Sequence, residues 1–190
     1  MPESWRLFVA APLPHEAATR VVSALEPLRA AFPETRWVSA DKLHLTLVFL
    51  GQTDSARVPA LTTAIDAVAS RVTSFEVSTA DGGGLPNGKR GGVAWLRLDG
   101  GGSGVAQLAI ELDRDMGSGT YDDHRRPRPH LTVARRVDEA VLAALRELAP
   151  VIKVSWTLDR VVLLRSHTDP AGSRYEERHS TLLTADSPAA

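Results

Sequence analysis

Leu43-His-Leu-Thr-Leu-Val-Phe-Leu-Gly51 is an apolar run that holds one titratable ring and one hydroxyl. In a strand side chains alternate, so Leu43, Leu45 and Leu47 share one face while His44 and Thr46 share the other. A strand built only for burial has no use for an imidazole at its second position. The same triplet returns in Pro129-His-Leu-Thr-Val-Ala-Arg-Arg136, where Leu131 and Val133 turn inward and His130 and Thr132 outward. A single His-x-Thr carries little weight, because most such histidines are satisfied or simply on the surface. Two identical triplets in apolar strands, at matching places in a repeat, are hard to obtain by chance.

The surroundings supply that repeat. A strand from Arg6 to Leu13, stopped by prolines, is followed by a helical period over His15–Ala31 with Pro27 near its end. After Trp37-Val38 and the opening strand comes a helix over Val58–Val72, then an alternating strand from Phe75 to Asp81 and a turn-rich connection, GGGLPNGKRGG. Strand Val93–Asp99, helix Val105–Met116, the PHLTVARR strand, a helix over Asp138–Leu148 with Asp138 as N-cap, and long strands at Val151–Arg165 and Arg174–Leu183 complete the chain. Strand–helix–strand–helix–strand thus occurs twice, with His-Leu-Thr on the third element of each half. This predicts an α+β fold with two pseudo-symmetric lobes, each a mainly antiparallel sheet flanked by helices, around one cleft. Residues 1–184 are expected to form that single bilobal domain and 185–190 a flexible tail.

Composition narrows the function classes. The 190 residues carry a formal net charge of −1, which argues against a wide nucleic-acid footprint. With no cysteine there is no thiolate nucleophile, disulfide or zinc–sulfur site. No apolar run approaches membrane-spanning length and no signal-peptide layout is present, so a cytoplasmic protein without membrane association is expected. Charge is nevertheless uneven: Arg125, Arg126, Arg128, Arg135 and Arg136 crowd around the second triplet.

Two imidazoles facing each other across a cleft suit general acid–base chemistry, one neutral and one protonated near neutral pH. Two hydroxyls and an arginine suit the oxygens of a phosphoryl group. Cleaving a phosphodiester needs a base for the nucleophile, an acid for the leaving oxygen and donors for the charge between. No metal or other cofactor is required.

These residues resemble the two-histidine phosphoesterase superfamily, and within it the bacterial RNA 2′,3′-cyclic phosphodiesterases, also called 2′-5′ RNA ligases. The likeness covers nearly the whole chain: RLFVAAPLP, RWVSADKLHLTLVFLG, the central FEVSTADGGGLPNGKRGGVAWLRL and PHLTVAR, with a proline before the second histidine and an arginine five positions after it. The resemblance implies that His44 is the proton donor and His130 the proton acceptor. It further implies that Thr46, Thr132 and Arg135 hold the phosphate, and that the product is a 2′-phosphomonoester. Relatives often carry an aromatic residue before the second Pro-His. Here Arg126-Pro-Arg128 takes that place, which favours a phosphate- or backbone-directed contact from Arg126 or Arg128. The expected partner is RNA ending in a 2′,3′-cyclic phosphate, or a small cyclic phosphate nucleotide, and a monomer is expected. The same parts would also serve an ADP-ribose cyclic phosphate, an RNA ligase running the chemistry in reverse, or a non-catalytic RNA-end binding module.

Other signals are set aside. Gly83 to Lys89 has the spacing of a phosphate loop, but Arg90 stands where Ser or Thr is needed and a strand follows. It reads as a hairpin connection or a flap over the cleft. His15, His124, His167 and His179 fit no ligand spacing, with His124 peripheral to the site. Trp5, Trp37, Trp95 and Trp156 read as core residues, and Tyr175 as a residue near the cleft.

Overall fold

The computed structural model describes residues 3–85, 92–122, 124–169 and 172–185. Most of the hairpin connection or flap expected at Gly83–Lys89, from residue 86 on, and nearly all of the expected tail lie outside the described residues. In chain order the elements are β1 (Ser4–Pro12), α1 (His15–Ala24), α2 (Glu26–Ala31), β2 (Arg36–Trp37), β3 (His44–Asp54), α3 (Val58–Ala69) and β4 (Phe75–Leu85). There follow β5 (Val93–Leu98), α4 (Gly102–Met116), β6 (His130–Arg135), α5 (Glu139–Leu148), β7 (Ser155–Leu158), β8 (Arg160–Asp169) and β9 (Gly172–Leu182). The result is a mixed helix and antiparallel-sheet fold, as the periodicities predict. Among the described residues no helix is long and apolar enough to cross a membrane.

Three elements depart from the expected boundaries. The helix over His15–Ala31 is two helices, because Pro27 has no N–H to continue α1 but fits the first turn of α2. The strand Val151–Arg165 is also two: β7 pairs with β4, and after Asp159 the chain enters β8, which pairs with β1. Gly82–Leu85 belongs to β4 and not to a turn. A side chain at Gly84 would run into Leu142 and the Val93 carbonyl, so the glycines let α5 lie directly on the strand.

The sheet order is β7-β4-β5-β6-β3-β1-β8-β9, with β2 added beside β6. Two antiparallel four-stranded sets meet at β3 and β6, and there a single residue pair, Leu45 with Leu131, joins them. The sequence repeat and the spatial halves do not coincide. β4, the third strand of the first repeat, pairs with β5 of the second, while β8 returns to pair with β1. Each repeat therefore completes the other's sheet.

One face of this sheet carries the main core. Leu43, Leu45, Leu47, Leu131 and Val133 are all buried there with residues of the five helices, as their alternation requires. α5 contributes Val141, Leu142 and Leu145 from one stripe, and the Asp138 side chain caps it by accepting from the Val141 N–H at 3.0 Å. On the opposite face, among the described residues, the buried apolar cluster is small: Phe8, Ala10 and Val162, with Leu164 and Tyr175 against them.

Leu45→Ala removes buried methyls at the one ladder pair that joins the two sheet halves among the described residues, and is expected to destabilise the fold by about 2–5 kcal/mol. Urea unfolding should show a lowered midpoint with an unchanged slope.

Candidate active site

The antiparallel register around Leu45–Leu131, continued one residue either way, sets His44 opposite Thr132 and Thr46 opposite His130. Each imidazole therefore faces the hydroxyl of the other strand. On the outer sides, Thr46 pairs with Ala10 of β1, and Thr132 with Trp95 of β5. All of these side chains lie on the sheet face away from the main core.

Each strand then breaks its alternation at the same point. On β3, Val9 pairs with Val48 but Ala10 with Thr46, so Leu47 is an extra residue. On β6, Ala94 pairs with Ala134 but Trp95 with Thr132, so Val133 is extra. Both are β-bulges, and each lets two consecutive apolar side chains go inward. The next residue returns to the His-Thr face, although it stands three positions after the threonine. That residue is Phe49 on β3 and Arg135 on β6. A regular strand would send both to the core. Beyond Arg135 the chain leaves β6 through Arg136, whose φ of 57° is in the left-handed region.

The carbonyls of the two extra residues are taken from elsewhere in the chain. Val133 O accepts from the Val38 N–H at 2.9 Å, beside β2. Leu47 O accepts from the Tyr121 hydroxyl, and Phe49 O from the Thr120 hydroxyl at 3.3 Å. That loop is anchored in turn by Asp113 of α4, a buried carboxylate at 6% exposure. Asp113 accepts from the backbone N–H groups of Thr120 (2.8 Å) and Tyr121 (3.2 Å) and from the Ser118 hydroxyl. Burial, with the Asp113 charge next to it, pushes the Tyr121 phenol above its usual range, so it stays a donor.

Both rings are oriented in the same way. His44 Nδ1 lies 2.7 Å from the Lys42 carbonyl and His130 Nδ1 2.8 Å from that of Arg128. A carbonyl only accepts, so Nδ1 carries the proton in each ring and Nε2 is left for exchange. His44 is packed by Phe8 (centroids 5.3 Å) and edge-on by Tyr175 (5.5 Å), while His130 meets Trp95 at 5.5 Å. Burial lowers the His44 pKa; the Lys42 carbonyl opposes this, and the Arg135 and His130 charges add to the lowering.

Two adjoining cavities meet at Thr46. One, of about 350 Å³, has His44, Phe49, Arg135 and Tyr175 in its wall. The other, of about 530 Å³, is bounded by His130, His124, Arg126 and Arg128. The structure thus gathers His44, Thr46 and Arg135 on one side and places Arg126 and Arg128 on the His130 side. Thr132, half-buried, stands between Trp95 and the His44 position. Among the described residues Arg126, Arg128 and Arg135 form no ion pair, so their charge is available to an anion. No three His, Asp or Glu side chains gather as a metal site would, among the described residues.

One expected core residue is misplaced by the sequence reading. Trp95 lies beside His130, whereas Trp156 is buried and Trp5 and Trp37 pack against the core as expected. Alternation held the clue, since its neighbours Ala94 and Leu96 are the buried ones. Phe49 was not singled out at all. Its signal was the doubled apolar pair Leu47-Val48, which matches Val133-Ala134.

Comparison with known proteins places the chain in a family. The family model described as the 2′-5′ RNA ligase superfamily matches residues 13–170. The chain belongs to that superfamily. Among curated relatives, an RNA 2′,3′-cyclic phosphodiesterase of Escherichia coli is 33% identical over 145 residues, 74% of this chain and 77% of that protein. One of Methanothermobacter thermautotrophicus is 26% identical over 176 residues, 90% of this chain and 95% of that protein. The crystal structure of E. coli LigT complexed with 3′-AMP superposes with a TM-score of 0.76 at 28% identity, covering 96% of this chain and 99% of that one.

In this superfamily member His44 is expected to titrate below the ordinary imidazole value. Between those two values the unfolded chain binds a proton that the native cleft does not, so this site removes stability as pH falls through the unfolded value. Imidazole NMR titration of wild type and Arg135→Ala should show the His44 pKa low and then raised, because the variant removes a repelling cation. An unmoved His44 would contradict the electrostatic account.

Proposed function

We propose that the protein hydrolyses RNA 2′,3′-cyclic phosphate ends to 2′-phosphomonoesters by two-histidine acid–base catalysis, without a metal. The observation that carries this reading is the pair of rings with Nδ1 tied to a backbone carbonyl and Nε2 free, each opposite a threonine hydroxyl. The curated relatives named RNA 2′,3′-cyclic phosphodiesterase support the substrate class. Thr46, Thr132 and Arg135 hold the phosphoryl oxygens, donating to charge that grows as the fifth bond to phosphorus forms. His130 Nε2 takes a proton from water, water oxygen bonds to phosphorus, and the P–O3′ bond breaks. His44 Nε2 gives its proton to the departing O3′. Arg126 and Arg128 bind the RNA backbone leading to the reacting end.

Burial, with the Arg135 charge nearby, makes His44 hold its proton weakly, which makes it a poor store and a ready donor. A bound phosphate anion offsets the Arg135 charge and raises the ring's proton affinity when the proton is needed. Turnover leaves His130 protonated and His44 neutral, and because His130 is exposed and His44 only half-buried, solvent resets them. With a 5′-hydroxyl in place of water, the same steps form a P–O5′ bond as P–O3′ breaks, His130 taking the hydroxyl proton and His44 protonating O3′, so joining an RNA end through a 2′-5′ linkage needs no separate machinery.

Incubation in EDTA with an oligonucleotide ending in a 2′,3′-cyclic phosphate is expected to yield the 2′-phosphate. His44→Ala and His130→Ala should each lose about 10²-fold or more in rate. Full activity in either variant, a 3′-phosphate product, or activity only after metal addition would reject the mechanism. Because His44 must be protonated in the free enzyme, kcat/KM should decline as pH rises through its lowered pKa. Arg135→Ala, though slower, should shift that decline to higher pH.

A further inference from the structure

The face of the sheet that carries the two histidines continues past His130 onto β5 and β4. Arg97 of β5 is the register partner of His130 and stands on the same face, since Ala94 and Leu96 are the buried residues of that strand. Opposite Arg97, β4 carries an extra residue: Thr79 pairs with Leu98 and Gly82 with Leu96, with Ala80 and Asp81 between them. The Asp81 carboxylate lies 3.7 Å from Arg97 Nη1, and the two side chains are 55% and 61% exposed. Neighbouring strands thus present Asp81, Arg97, His130 and Thr46 in one row. An ion pair this long and this exposed adds little to the fold, so the guanidinium exchanges readily between the carboxylate and another anion.

We propose that Arg97 takes the phosphodiester next to the reacting end, in exchange for Asp81, and so makes the protein prefer oligonucleotides to mononucleotides. This rests on the cyclic-phosphate reading above and names the length of substrate that reading leaves open. Neighbouring strands lie about 4.8 Å apart, so β5 is about 10 Å from the strand of Thr46. With the arginine arm covering part of that distance, the remaining gap matches the interval between successive phosphates of one nucleic-acid strand. A nucleoside cyclic phosphate held at Thr46 and Arg135 has no second charge to offer there, whereas a longer chain brings its next phosphodiester. Asp81 opposes the contact in two ways, by occupying the guanidinium and by repelling the incoming phosphate. A net charge of −1 provides no broad basic surface for a long chain, so the footprint stays short.

The test compares the dinucleotide ApA ending in a 2′,3′-cyclic phosphate with the same dinucleotide whose internal link is an uncharged methylphosphonate. Wild type should favour the charged form by about fivefold in kcat/KM, carried mostly by KM. Arg97→Gln should remove most of that gap. Asp81→Asn should widen it, but only while Arg97 is present. An equal gap in wild type and Arg97→Gln overturns the proposal, as does a gap that Asp81→Asn narrows. Binding is read separately, in a His44→Ala background that suppresses turnover, from the fluorescence anisotropy of the labelled charged dinucleotide as salt is varied. Adding Arg97→Gln should flatten the log–log slope of affinity against salt by about 0.7, the release of counterion from one phosphate of a single strand. A flattened slope without hydrolysis by wild type keeps the contact and rejects the proposed activity. Hydrolysis with an unchanged slope does the reverse.

Discussion

The alternation of side chains along a strand constrains everything at this site. Two residues in three consecutive positions can face one way, which is how His44 and Thr46, or His130 and Thr132, come to stand together. A fourth group on the same strand would have to wait for another even step, and would then lie farther from the reacting atoms. One inserted residue changes that parity. Leu47 and Val133 each add a buried side chain to the core while turning the next but one residue outward. The packing of the hydrophobic face and the furnishing of the polar face are thereby decided by the same two residues.

An inserted residue leaves its backbone groups out of the regular ladder, and the chain meets that demand from unexpected places. A short strand near Val38 serves one bulge. For the other, Asp113 holds a loop whose Tyr121 and Thr120 hydroxyls reach the carbonyls of Leu47 and Phe49. The single buried carboxylate of the described residues is therefore positioned to shape β3 through that loop. The loop it anchors carries the arginine cluster, so strand geometry and local charge share one support.

Much of this was legible in the residues themselves. The period-two pattern placed His44, Thr46, His130 and Thr132 on one face, and the apolar partners at Leu45 and Leu131 are buried as that pattern demands. Arg135 was visible only through family resemblance, because simple alternation points it the wrong way. Phe49 was hidden for the same reason, and Trp95 because a tryptophan in a strand is more often core. The exchange of β4 and β8 between repeats left no local trace. Which strand pairs with which is settled by partners far apart in sequence, and periodicity carries no information about them.

That exchange bears on how the molecule comes into being. The walls around His44 are assembled from Phe8 near one end of the chain and Tyr175 near the other, brought together when β8 docks on β1 and β9 on β8. A chain leaving the ribosome holds β1 with its outer edge unpaired until almost everything else has been made. Contacts of such long sequence separation close late and slowly. The chemistry-bearing half of the first repeat is thus the last surface to be completed, and its exposed strand edge is the point at which a crowded, still-growing chain is most open to pairing with the wrong neighbour.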